Sequence, residues 1–142
     1  KGCIKAAAGH KIVAMDLTTA EVYVAAILAK DKALIEVFKS GGNFHSAIAH
    51  KVFKLPCEVS EVSSLYSMQR QAAKAVTFGI MYGAGANKIS EQVTKDSGKP
   101  FSRKDAQEVI DDYFAEFHKL KEWIEDNQKY IQLTVFNPSL KF

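Results

Sequence analysis

Four side chains between positions 70 and 82 stand four residues apart: Arg70, Lys74, Phe78 and Tyr82, in the run RQAAKAVTFGIMYG. Residues four apart lie near one another on a helix, and the stripe they form drifts slowly around its axis. The spacing therefore predicts a ladder of two cations followed by two aromatic rings. Two cations suit a polyphosphate, and two rings suit a base or a sugar. Each residue taken alone fits an ordinary amphipathic helix, with rings inward and charges in solvent. That explanation serves the set poorly, because the two cations share the face of the two rings.

The elements that must hold this ladder follow from composition and punctuation. The chain has 142 residues, 47% apolar and 25% charged, as expected of one domain with a core. Its net charge of +3, from 19 basic and 16 acidic residues, is too small to diagnose a nucleic-acid partner by itself. Cys3 and Cys57 have no Cys-x-x-Cys spacing. They read as free thiols of a reducing compartment, not as a disulfide or a zinc site. No apolar run approaches the length needed to span a membrane. The start, Lys1-Gly2-Cys3, has neither an initiator Met nor a signal-peptide core, and reads as the middle of something longer.

The run KIVAMD at 11–16 predicts a short buried strand that presents Asp16 at its end. Thr18 or Thr19 would cap a helix over 20–29. Further helices are expected at 32–38, 44–53, 67–83 and 87–96, with a Ser-rich loop beginning at 57. Ser102 and Asp105 resemble a capping box that opens one long helix over 103–129. Its apolar residues form one core-facing stripe, and its aromatics read as packing. A second strand is possible over 130–136. The class is mainly α with a short β element.

The ladder, written R-x-x-x-K-x-x-x-F-G-x-x-Y-G, resembles the nucleotide-binding helix of family A DNA polymerases, the family of bacterial DNA polymerase I and several phage replicases. Upstream, Asp16-Leu17-Thr18-Thr19-Ala20-Glu21-Val22-Tyr23 resembles the family's D-Y-S-Q-x-E-L-R. Between them, Asn43-Phe44-His45 resembles its D-x-H. The three motifs stand in the family's order, and the resemblance runs from about Ile4 to about Leu133.

The resemblance implies the fingers of a right-hand polymerase plus the first catalytic palm strand. Positions 1–30 would be partial palm, 31–129 the fingers helices, and 130–142 a divergent or truncated return to the palm. Asp16, with the Leu17 backbone carbonyl, would bind two Mg²⁺ ions, which clamp the attacking and leaving oxygens. Arg70 and Lys74 would hold the triphosphate of a deoxynucleotide (dNTP), and Lys74 would donate a proton to the leaving pyrophosphate. Phe78 would pack on the incoming sugar and base. Tyr82 would lie near the templating position, with Gly83 and Thr77 also on the template side. Glu21 would pair with Tyr82 and exclude a ribose 2′-hydroxyl, and His45 would touch the phosphates or the sugar. On residue types alone, Asp16 is more often a turn or cap residue, Glu21 reads as a solvated helix residue, and His45 is more often a structural histidine.

The departures from the family pattern are also specific. Gln71 stands where many members carry a second Arg, Thr18-Thr19-Ala20 replaces S-Q-x, and Tyr23 replaces an Arg. These changes point to a phage-like branch. No V-H-D-E-type motif supplies a second metal carboxylate, and YIQLTVFNPSLKF at 130–142 lacks the family's Gly-Arg. The chain alone is therefore not expected to polymerise DNA. It would act on primer-template DNA with a complementing chain that carries the second carboxylate and a thumb, in the cytoplasm of a bacterium or a phage-infected host. A strand at 11–16 without neighbours would also leave an open edge that favours such a partner or self-association. The alternatives are a non-catalytic nucleotide or nucleic-acid binding module and a purely structural helical protein.

Overall fold

The computed structural model describes residues 4–15 and 19–136. The described residues form eight helices: α1 (Ala20–Leu28), α2 (Lys32–Lys39), α3 (Phe44–Val52), α4 (Val62–Leu65), α5 (Ser67–Met81), α6 (Ala86–Ser97), α7 (Arg103–Glu116) and α8 (His118–Phe136). Helix α5 lies at the centre, packed against α1, α3, α4, α6 and α7. Its buried stripe is Ala72, Ala73, Val76, Thr77 and Ile80. The alanines let neighbouring helices approach closely, while Val76 and Ile80 fill the space between them with Ile48, Val93, Tyr113 and Phe117 of the surrounding core.

Side-chain caps open α2, α3 and α7. Asn43 caps α3 by accepting from the Ser46 amide at 3.1 Å. Ser102 and Asp105 form the expected capping box, each side chain accepting from the other's amide at 3.1 Å. Asp31 does more. One carboxylate oxygen accepts from the Leu34 amide in the first turn of α2, and the other accepts from the Leu120 amide in the first turn of α8, both at 3.1 Å. Asp31 is only 3% exposed, so one buried carboxylate caps two helices that are remote in sequence.

Several sequence expectations are corrected. The short strand does not form among the described residues: 11–15 have no regular secondary structure, and Asp16 lies outside them. A strand needs a neighbour for its backbone groups, and none of the described segments offers one. Residues 130–136 are helical, continuing α8, because a helix satisfies its amides internally where no sheet is at hand. The single long helix over 103–129 is two helices. They break at Phe117 (φ −115°, ψ 56°), which lets the first turn of α8 aim its amides at Asp31. The Ser-rich stretch contains α4. Thr19 precedes α1 with φ at 55° and forms no side-chain cap, while Thr18 lies outside the described residues.

Replacing Asp31 with Ala leaves two buried amides without acceptors, each costing about 1–3 kcal/mol. Urea denaturation is expected to show a loss of about 3 kcal/mol for Asp31→Ala, and a smaller loss for Asp31→Asn, which keeps one acceptor oxygen.

Candidate nucleotide-binding face

The ladder is held by helix α5 and by the way that helix ends. Gly83 has φ at 68°, the left-handed conformation favoured by glycine. Its amide donates to the Ile80 carbonyl at 3.2 Å, and the Ala84 amide donates to Gly79 at 2.8 Å. These two bonds are a Schellman closure, which satisfies the last carbonyls and turns the chain into α6. Tyr82, just before this turn, is 73% exposed.

At the other end of the ladder, Arg70 Nη2 donates to Asn43 Oδ1 at 3.4 Å, the same oxygen that caps α3. This contact brings the start of α3 alongside α5. The His45 ring then stands between Phe44 and Phe78, with centroids at 5.3 Å and 5.5 Å. Arg70, His45, Lys74 and Phe78 thus lie near one another.

The electrostatics of that surface are unbalanced. No carboxylate forms an ion pair with Arg70 or Lys74 among the described residues. Burial, followed by the charges of Lys74 and Arg70, pushes the His45 imidazole down to about 4. It is therefore neutral at pH 7, and able to donate from one nitrogen and accept at the other. His45 Nδ1 and Arg70 Nε are both buried without a hydrogen-bond partner. Buried polar atoms are usually paired, so an orphan imidazole nitrogen beside two unneutralised cations, one of them with its own Nε unpaired, describes a place where an acceptor-rich anion would fit.

A groove of about 450 Å³ flanks the ladder on its α6 side. Lys74, Phe78 and Tyr82 form one wall, Lys88 and Gln92 the other, and Gly79 and Ile89 the floor. A Cβ added at Gly79 would lie 2.9 Å from Ile89 Cγ1, so only glycine lets α6 come this close. Sequence reasoning missed Lys88 as a contributor, and gave Asn43 a place in a motif but no role. The signal for Lys88 was its place in the first turn of a helix that doubles back on Tyr82. The structure shows Asn43 serving both as cap of α3 and as partner to an Arg 27 residues away.

The remaining expected site residues are placed differently. Thr77 is fully buried, and its hydroxyl donates to the Ala73 carbonyl at 2.7 Å, so it presents no surface to a template. Glu21 is exposed on α1 and forms no hydrogen bond with Tyr82. Asp16 and Leu17 lie outside the described residues. Among the described residues no group of three or more His, Cys, Asp or Glu side chains is arranged to hold a metal ion.

Comparison with known proteins decides the lineage. The model of DNA polymerase family A matches residues 1–138. This chain belongs to DNA polymerase family A. It is 45% identical over 142 aligned positions to the DNA polymerase of Escherichia phage T5, covering 88% of this chain and 17% of that protein. It is 38% identical over 109 positions to DNA polymerase I of Pseudomonas aeruginosa, covering 77% of this chain and 11% of the relative. With the thermostable DNA polymerase I of Thermus aquaticus it shares 33% over 117 positions, or 82% of this chain and 13% of the relative. The chain thus spans less than a fifth of each family A relative named here. The all-helical architecture of the described residues agrees with a fragment of such a polymerase.

Two measurements test this geometry. In an NMR titration His45 is expected to protonate with a midpoint near 4, and Lys74→Ala is expected to raise that midpoint by removing a repelling charge. The lowered value means that stability from neutral His45 is complete above its ordinary pKa of about 6.5 and is lost as pH falls through about 4. Gly79→Val should force α6 away from α5, with a loss of about 1–3 kcal/mol in chemical denaturation.

Proposed function

We propose that this chain is the fingers portion of a DNA-directed DNA polymerase, joined to the first catalytic carboxylate of its palm. Its task is to bind the incoming dNTP for template-directed transfer to a primer 3′ end. The observation that carries this reading is the pair of unneutralised cations, Arg70 and Lys74, next to the unpartnered Nδ1 of His45 and on the helix that carries the rings of Phe78 and Tyr82. The names of the relatives support the same reading.

In this reading Arg70 grips the distal phosphates through its planar fork, oriented by Asn43. Lys74, exposed and mobile, follows the charge as it develops and donates a proton to the departing pyrophosphate. Neutral His45 donates a hydrogen bond to a phosphate or sugar oxygen without adding a third fixed charge. Phe78, half-buried against His45, packs on the sugar and base. Exposed Tyr82 stacks beside the templating base, held in place by the Gly83 turn. Glu21 meets Tyr82 only after α5 closes on its substrate, and there excludes a 2′-hydroxyl. Such closure over a matched pair is a form of induced fit.

The described residues do not by themselves fit a two-ion Mg²⁺ site. Asp16 and the Leu17 carbonyl are the ligands assigned to it, and the described residues contain no ligand cluster. The other carboxylate would come from a complementing chain, together with the surface that grips the primer-template duplex. No helix among the described residues is long and apolar enough to cross a membrane, and the working place proposed is the bacterial cytoplasm, where DNA and dNTPs meet.

Primer extension tests the reading, run with this chain alone and then with a chain that carries the second carboxylate motif and a thumb. Extension is expected only in the mixture and is expected to vanish with Asp16→Ala. Lys74→Ala should weaken dNTP binding by about tenfold or more, the cost of a hydrogen bond to a charged group. Nucleotide binding without extension in any mixture would favour a non-catalytic binding module. An unchanged nucleotide affinity in Lys74→Ala would remove the basis of the proposal.

A further inference from the structure

The first turn of α3 serves two neighbourhoods. His45 turns its ring toward Phe78 and the ladder. Ser46, the next residue, points about 100° further around the helix axis. It is only 1% exposed, and its amide donates to Asn43 Oδ1, yet its hydroxyl has no hydrogen-bond partner. Ser46 lies at the base of a pocket of about 320 Å³ that shares no lining residue with the groove beside the ladder. The loop before α3, at Gly41, Gly42 and Asn43, and the approach to α4, at Ser60 and Ser63, supply its walls.

The polar groups gathered here are mainly donors. The first amides of a helix have no acceptor within it, and in α3 the Asn43 side chain takes only that of Ser46. The Ser46 hydroxyl adds an unpaired donor, and Ser60 and Ser63 add two more hydroxyls. Among the described residues no carboxylate lines the pocket. Glu61, beside Ser60 in sequence, turns one oxygen to the Glu58 amide at 3.1 Å. Arg70 reaches Asn43 on the rim and brings a positive charge. A buried orphan hydroxyl at a helix start, with a cation at the rim, suits a tetrahedral oxyanion. We propose that this pocket binds a phosphate group through the Ser46 hydroxyl and the first amides of α3. Two sources carry that group: free pyrophosphate, the product released at the ladder, and the backbone of a DNA strand. The site stands on its own residues, and only the pyrophosphate source rests on the reading of the ladder as a nucleotide-binding face.

The test is an amide NMR titration of the whole chain without divalent metal, first with inorganic pyrophosphate and then with a short single-stranded oligonucleotide. The amides of Gly41, Gly42 and Ser46 are expected to shift in at least one arm, and the arm that shifts them names the source. Ser46→Ala should weaken that binding about tenfold, the range of one hydrogen bond to a charged group. Its thermal midpoint should stay the same or rise, because an unpaired buried hydroxyl is gone. Ser63→Ala, at an exposed position, should weaken binding by a smaller factor and gives a second reading should Ser46→Ala fold poorly. Lys74→Ala should leave the response of the three amides within about twofold, since one charge outside the pocket changes only a screened interaction. Silence of these amides in both arms would overturn the proposal. So would a response that survives both serine variants, which marks general attraction of anions to a basic surface. A response lost in Lys74→Ala but kept in Ser46→Ala would place the anion on the ladder alone and would also overturn it. If Lys74→Ala leaves dNTP affinity unchanged while Ser46→Ala weakens phosphate binding, the ladder reading fails and this site stands.

Discussion

The structure depends on helix α5 being dry on one side and charged on the other. Five helices press on its buried stripe, and Ala72, Ala73 and Gly79 keep their approach close. That packing leaves the opposite stripe nowhere to go but outward, with its cations unopposed. An isolated helix with Arg70, Lys74, Phe78 and Tyr82 on one face would bend its rings toward any apolar cover and spread its charges into water. Here the core holds the other face so firmly that rings and cations stay together. The rest of the molecule is largely the apparatus that enforces this: α3 and α6 as flanks, α7 as floor, and the Gly83 closure as the end stop.

Charge placement on the ladder follows the same economy. Arg70 is anchored at one edge by Asn43, an uncharged acceptor, so its orientation is fixed while its charge remains available. Burial, reinforced by both cations nearby, keeps His45 neutral. A third positive charge at that point would have to be overcome in folding, and a carboxylate would compete with the ligand. A neutral ring that can donate and accept avoids both costs.

Much of this was legible in the chain. The spacing of four, the glycine punctuation at 83 and 98, and the capping box at 102 locate several helix boundaries to within a residue or two. The break at Phe117 was not legible, because both sides of it continue one apolar stripe. It exists for a partner 89 residues away, Asp31, and helical periodicity carries no trace of such a contact. The strand reading at 11–16 failed for a related reason: apolar alternation states a preference, but a strand needs another strand. Thr77 was placed on the template side because it lies within the motif. The structure shows that motif membership and surface exposure are separate matters, since a helix motif includes its buried side. Lys88 escaped notice because it joins the groove through a turn in space and not through spacing on one helix.

The shared cap at Asp31 also has a temporal side. Its two amides are separated by most of the chain, and closing a loop of that length carries an entropic cost that grows slowly with length but must be met before the contact yields anything. On a ribosome, α2 emerges with its cap in place, while the second oxygen of Asp31 waits, hydrated, until α8 appears. The contact therefore belongs late on the folding route and governs how slowly the finished protein opens, more than how fast it forms. Fixing α8 against α2 last means that this lock closes only after the ladder helix has already emerged.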